Sequence, residues 1–551
     1  MEFTSVNKIF EASFKKHWDR PAISNYQGVT LHYRDVARRI EKLHIMFEEC
    51  GLQKGDKVAL CSRNQANWAV AFLSTMTYGA VPVPLLHEFK SSNIHHLVNH
   101  SEAKILFVDD VIWEGLTETE MPDLHAIIQV NTFKLLYAAD EKITEAREHL
   151  NELFGRKYPN VFTPDALDYY EDSAEELAII NYTSGTSGFS KGVMIPYRAI
   201  LSNLEFGRKV LPELDHTKNM VSMLPSAHMY GLMFELLYEL SVGAHVHFLS
   251  RVPSPKIIMQ AMSDVKPYLV IAVPLVIEKI YKSKVKPILE KEGIRFLMKV
   301  PGLNQVVMNK IKTELMNAFG GEFYQVIIGG AAFNKEVEAF FKKIGFPVTV
   351  GYGMTECAPI ITYDDWNVEK LYSCGKAAPN LEVRIDSTDP ANVPGEILIK
   401  GANVFLGYFK NEEATKSVFT EDGWFKTGDM GVIDQDGSLF IKGRSKCMIL
   451  GPSGQNIYPE EVETVINSQP YVVDSLVVED NGGLTALIYP DFAQGAKDGM
   501  DQDAFVKYLE GTLPELNKEL PNYAKLKKIE VMSEDFERTP KKSIKRYLYQ
   551  R

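Results

Sequence analysis

The sequence predicts an α/β protein with a large N-terminal part of several α/β subdomains, one of them β-rich, and a small α+β domain at its C-terminal end. Three observations carry this expectation. At 551 residues the chain exceeds one ordinary core, so two or three subdomains are expected. Short apolar runs alternate with helix-like stretches over the first four-fifths, as buried, largely parallel strands joined by crossover helices do. After about Asn380 the texture changes to short strands and turns, and beyond Gly443 to a compact mixed pattern.

In chain order, the strand-like runs are KVALCSRN, AVPVPL, KILFVDD, HAIIQV, ELAIINYTSG, YLVIAVP, FYQVIIGG and FPVTVGYG. PSPKIIMQAMSDVK and NKEVEAFFKKIG place apolar residues at helical spacing and read as crossover helices. GEILIKGANVF, DGWFKTGD and DGSLFIKGRSK make a β-rich subdomain over about 380–443. Beyond it a helix starts at Pro459, SLVVED and LTALIYP read as strands, and AFVKYLEGTLPEL reads as one helix.

Hydrophobic residues at 45% and charged residues at 24% are the balance of a globular chain. A formal charge of −12 argues against nucleic acid as a partner, since phosphate contacts need a basic footprint. The segment Lys525–Arg551 is the exception, with nine Lys and Arg against four Asp and Glu, and reads either as solvated surface or as an anion-binding tail. Five scattered cysteines without CxxC spacing suggest neither a disulfide framework nor a zinc site. No run reaches the ~18 apolar residues of a spanning helix. A cytoplasmic protein is expected, with peripheral membrane contact left open. His95, His96 and His100 sit at helical spacing, but no Glu follows His96 as HExxH requires, so they read as a surface helix.

The most informative stretch is YTSGTSGFSKG, Tyr182 to Gly192, directly after an apolar strand. Five Ser and Thr hydroxyls and three glycines crowd around one lysine. Thr183, Ser184, Gly185, Thr186, Ser187, Gly188 and Lys191 form a phosphate cradle on this reading: hydroxyls and approachable backbone N–H groups donate to phosphate oxygens, and Lys191 adds a charge. Position 190 is Ser, so the Walker A pattern fails, and so does GxGxxG.

This loop resembles the phosphate-binding signature of the adenylate-forming superfamily, which includes acyl-CoA synthetases, luciferases and peptide-synthetase adenylation domains. Further segments match that superfamily in its order: LPSAHMYG (Leu224 to Gly231), GGAA (Gly329 to Ala332), GYGMTE (Gly351 to Glu356), GWFKTGD (Gly423 to Asp429) and GRSK (Gly443 to Lys446). Alone, each reads as easily as a turn, a cap or surface; their order and spacing do not. The resemblance implies ATP, Mg²⁺ and coenzyme A, with a small carboxylic acid as the other substrate. It implies Thr186 and Glu356 at the metal and Thr355 beside the α-phosphate. Gly329, Gly330, Ala331, Tyr352 and Gly353 correspond to the adenine pocket, Asp429 to the carboxylate that takes both ribose hydroxyls, and Arg444 to the ribose and phosphate contact. His228 corresponds to a substrate-positioning residue of the acyl and CoA tunnel. Lys446 corresponds to a hinge, dividing the chain into 1–445 and a 446–551 lid that rotates between two half-reactions.

One departure stands at the end. The superfamily closes on a run whose last Lys contacts the acyl carboxylate and α-phosphate; here RTPKKSIKR puts Ser543 in its place. Lys542, one residue away, is the expected substitute, and Lys541 the next candidate. The best reading is a long-chain fatty acid–CoA ligase that forms acyl-AMP and then the thioester. Its alternatives are an acyl-AMP ligase loading a carrier protein and a nucleotide- or acyl-binding regulator that has lost chemistry with its lysine.

Overall fold

The computed structural model describes residues 4–183, 190–250, 255–450, 456–480, 482–539 and 543–551. Its largest sheet has seven strands, in the spatial order Val348–Val350, Gln325–Ile328, Leu269–Ala272, Asn219–Ser222, His245–Phe248, Pro21–Asn25 and Thr30–His32. Every neighbouring pair is parallel except the last. The central strands Leu269–Ala272 and Gln325–Ile328 are buried at every position and show no alternation, as parallel strands covered on both faces do.

A second sheet of five strands runs Val81–Leu85, Lys57–Cys61, Ala103–Val108, Ala126–Gln129 and Leu135–Ala138, parallel but for the last pair. Leu177–Thr183 and Lys191–Pro196 pair antiparallel and join Gly407–Tyr408 in a small third sheet. The eight apolar runs read as strands in the sequence each contain one here. Four antiparallel strands, Leu381–Asp386, Gly395–Gly401, Phe425–Ile433 and Leu439–Arg444, form the β-rich sheet.

After Arg444 comes a one-turn 3₁₀ segment, Ser445–Cys447, which carries Lys446 with its side chain exposed. The C-terminal unit then packs helix Pro459–Asn467 on three strands, Val472–Asp480, Gly483–Pro490 and Leu526–Val531. One expectation is corrected there. AFVKYLEGTLPEL is not a single helix: Gln502–Gly511 ends at Thr512 and Leu513–Glu519 starts anew. Pro514 has no N–H to give, so it fits a helix's first turn and not its interior.

Beneath the seven-stranded sheet, helix Tyr238–Val242 carries Glu239, fully buried, with neither carboxyl oxygen meeting a hydrogen-bond partner from another residue among the described residues. Burial pushes its pKa up from 4.5 to about 8. The fold therefore holds the protonated acid: the stability this group contributes is complete below 4.5 and is lost as pH rises through about 8. Thermal melts across that window are expected to show a smaller fall in Tm for Glu239→Gln than for the unaltered protein. Identical slopes would show that Glu239 does not titrate there.

Candidate functional site

Parallel strands end together, so their loops collect at one edge of the sheet. Three of the matched segments leave carboxyl ends at this edge, the first separated from the other two by strand Leu269–Ala272. LPSAHMYG follows Asn219–Ser222, GGAA follows Gln325–Ile328, and GYGMTE follows Val348–Val350.

The first of these loops is held by buried polar groups. Oε2 of Glu235 accepts from the backbone N–H of Met223 (3.0 Å) and Leu224 (2.9 Å) and from the Ser222 hydroxyl (3.1 Å). Asn64 accepts from the Ser226 N–H at 2.7 Å, and Asn181 donates to the Ala227 carbonyl at 2.9 Å. Glu235 lies on a π-helical turn, Met233–Leu237, an insertion that re-aims side chains and recurs at functional sites. Burial drives its pKa well upward against those donors. The loop delivers His228 to the N-cap of the short helix Met229–Leu232, where Nδ1 accepts from the Tyr230 N–H. Met229, Leu232, Met233 and Phe234 are core residues here.

Tyr230 joins this loop to the next. Its hydroxyl donates to the Ile327 carbonyl at 3.1 Å, and its ring lies where a side chain on Gly329 would sit, 3.2 Å from that Cβ position. Gly330 has φ +86°, open only to glycine without strain, and Ala331 is exposed beside it. Gly353 has a packing reason: a Cβ there would be 2.3 Å from the Pro359 carbonyl oxygen.

Two polar clusters complete the site. In one, the Tyr352 hydroxyl donates to Asp429 Oδ2 at 2.6 Å, and Arg444 Nε lies 3.3 Å from Asp429 Oδ1. Asp429 and Arg444 face each other directly across an antiparallel pair, which fixes their separation. Burial raises the Asp429 pKa, with Arg444 and Tyr352 pulling against it. Arg444 is itself pushed up, chiefly by Asp429. In the other cluster, the Tyr408 hydroxyl donates to Glu356 Oε1 at 3.0 Å while the Lys191 ammonium sits 4.6 Å from the Tyr408 ring centre. Thr355 and Glu356 are both buried, and Phe405 donates its N–H to the Glu356 carbonyl.

Thr183 and Lys191 are cross-strand partners, so the glycine- and hydroxyl-rich loop closes a β-hairpin. Ser184, Gly185, Thr186, Ser187 and Gly188 lie outside the described residues, as does Lys542. Ser543 is described: its carbonyl accepts from the Thr539 N–H at 2.8 Å, and Arg538 and Ile544 form a bridge, so both ends of the turn are pinned. The basic tail is largely occupied in place. Arg538 pairs with Asp474 and Asp535, Arg546 with Glu463, Lys545 with Glu537, and Arg551 with Asp480 and Glu530. Those pairs favour the surface reading over an anion-binding tail. His100 contacts the Tyr182 hydroxyl at 2.6 Å and His95 accepts from the Thr117 N–H, each a local structural bond.

Sequence reasoning missed Glu235, Asn64 and Asn181. Two acids, Glu235 and Glu239, inside the apolar run LMFELLYEL were the available signal for the first. Glu235→Ala strands three donors where water cannot reach, so urea unfolding is expected to show a loss of about 3 kcal/mol or more. Glu235→Gln keeps an acceptor and is expected to recover most of it; equal losses would show that the acceptor is not what matters.

The AMP-binding enzyme family matches residues 10–409, and the AMP-binding enzyme C-terminal domain matches 448–551. The long-chain-fatty-acid–CoA ligase FadD15 of Mycobacterium bovis is 25% identical over 93% of this chain and 89% of its own. ATP-bound MatB from Rhodopseudomonas palustris superposes with a TM-score of 0.77 at 24% identity, covering 99% of this chain and 98% of its own. The anthranilate CoA ligase AuaEII in complex with anthranoyl-AMP gives 0.78 at 19% identity, covering 99% and 96%.

Proposed function

The chain belongs to the AMP-binding enzyme family, and from that premise we propose that it activates a long-chain fatty acid with ATP and passes the acyl group to coenzyme A. The observation that carries the activation step is the convergence at one sheet edge of the Tyr352–Asp429–Arg444 cluster and the Lys191–Tyr408–Glu356 cluster. The first presents an acceptor-only carboxylate flanked by a cation, suited to a ribose diol. The second places a cation and a carboxylate at the mouth of a loop rich in phosphate donors.

In the first half-reaction a carboxylate oxygen of the acid bonds to the α-phosphorus and pyrophosphate leaves. In the second, the CoA thiol attacks the acyl carbonyl, loses its proton, and AMP departs. Both anions of the first step repel, so fixed cations and donors must hold them together. Lys191 and Thr355 supply these, and Arg444 orients the sugar. Glu356 fits a hard divalent ion: among the described residues its Oε1 takes the Tyr408 hydroxyl and its other oxygen takes no hydrogen bond. Glu356 and Thr186 would hold Mg²⁺, which when bound neutralises triphosphate charge. His228, at the start of its helix among core residues, positions the acyl and thiol groups.

The long-chain preference rests on the fatty-acid ligase named among the relatives, while one structural neighbour is named an anthranilate CoA ligase. A reaction containing protein, ATP, Mg²⁺, CoA and a mixture of short, medium, long-chain and aryl acids, read by mass spectrometry, tests it. Long-chain acyl-CoA is the expected product. Aryl- or short-chain acyl-CoA in its place would overturn the chain-length reading, and acyl-AMP without acyl-CoA would assign a different acceptor.

Asp429→Ala removes two charge-assisted contacts to the ribose and is expected to weaken ATP binding by about 100-fold; calorimetric titration reads it. We assign the missing lysine's role to Lys542. Lys542→Ala is expected to slow acyl-AMP formation by about 10²- to 10³-fold, with thioester formation from supplied acyl-AMP unchanged. If Lys541→Ala gives that effect and Lys542→Ala does not, the assignment moves to Lys541.

A further inference from the structure

Away from every segment of the site, a cluster of cations gathers beside the five-stranded sheet. Helix Tyr33–Glu49 presents Lys42 four residues after Arg38 and three after Arg39, so Lys42 neighbours both on one side. Helix Glu141–Glu148 brings Arg147 to the same place, and the turn between strands Ala126–Gln129 and Leu135–Ala138 closes it. Arg39, Lys42 and Arg147 line an open pocket of about 230 Å³ together with Leu43, Phe133, Leu150 and one acid, Glu148.

Neutral oxygens hold these cations in position. Arg39 donates to Asn67 Oδ1 at 2.6 Å, and the Asn67 amide is fixed by the carbonyls of Val130 (3.0 Å) and Asn131 (2.8 Å). Lys42 donates to Asn151 Oδ1 at 2.6 Å. Arg147 Nε donates to the Phe133 carbonyl at 2.8 Å, and Phe133 sits at φ +55°, a conformation a bulky residue adopts only under constraint. Arg38 and Lys42 both lie over the Phe154 ring.

None of the four has a carboxylate within ion-pair distance among the described residues. The Lys42 pKa is held down by burial first and then by Arg38, Arg147 and Arg39. Arg39 is lowered by burial, with only Asp35 acting against it. On a chain of net charge −12, one acid, Glu148, lines the pocket, and among the described residues it makes no ion pair with these cations.

We infer that this pocket binds the dianionic phosphate group of a phosphate monoester. Converging, partly desolvated like charges are costly until an anion joins them. Two guanidinium forks and an ammonium offset a dianion better than a single carboxylate, and guanidinium planes match phosphate oxygens two at a time. The apolar lining accepts a short carbon stem behind the phosphate. A soluble phosphorylated metabolite and a phosphate-headed lipid share this chemistry.

The test titrates inorganic phosphate into the full-length protein and into Arg39→Gln/Arg147→Gln by calorimetry, with Lys42→Gln as a second, milder variant. The double variant is expected to bind phosphate about 100-fold more weakly at one site and Lys42→Gln to show a smaller drop. In phosphate-free buffer neither variant is expected to melt below the unaltered protein, since each relieves repulsion. A parallel arm sediments the proteins with vesicles of phosphatidylcholine with or without phosphatidate. Phosphatidate-dependent binding lost in the double variant makes the ligand a lipid headgroup; phosphate binding without it makes the ligand soluble. Equal phosphate affinity in all three proteins, or no binding of phosphate or phosphatidate, overturns the inference.

Discussion

Everything at the candidate site depends on the parallel register of the seven-stranded sheet. Parallel pairing puts the carboxyl ends of successive strands at one edge, so residues as far apart in the chain as Tyr230 and Ile327 meet there. An antiparallel arrangement would scatter the same loops to both edges. The apolar strands pay for this geometry by burial on both faces, which leaves their terminal loops free to be polar.

Polar groups then tie the loops to one another. Tyr230 spans two of them, Glu235 and two asparagines fix the first, and the Asp429–Arg444 pair reaches in from the β-rich sheet. Lys191 meets Glu356 through the ring and hydroxyl of Tyr408, so the hairpin loop and the GYGMTE segment share one contact. The small unit touches the large one at Asn334–Ser468, at Lys442–Glu461, and through Lys282, whose ammonium donates to the carbonyls of Asn467 and Val472.

The sequence made the strands legible because runs such as KILFVDD and FYQVIIGG are apolar without alternation, which parallel burial alone requires. Tyr352, Asp429 and Arg444 were legible through short segments in a fixed order, and the structure brings these three together. Glu235 and Asn64 were not. Their partners are backbone groups 11 to 162 positions away, and such contacts leave no periodicity to read. The cation pocket was hidden for a like reason: Arg39 and Arg147 are ordinary surface-helix residues until the fold sets them against each other. The break at Thr512 was overlooked although Pro514 marks it, because the apolar spacing runs across it.

A crystal structure with a non-hydrolysable acyl-adenylate analogue, the acyl sulfamate of adenosine, tests the central claim most directly. The account predicts both ribose hydroxyls on the Asp429 carboxylate, the sulfamate beside Thr355 and the acyl chain running past His228. A ligand bound elsewhere, or Asp429 still closed between Tyr352 and Arg444 with no contact to the sugar, would contradict it.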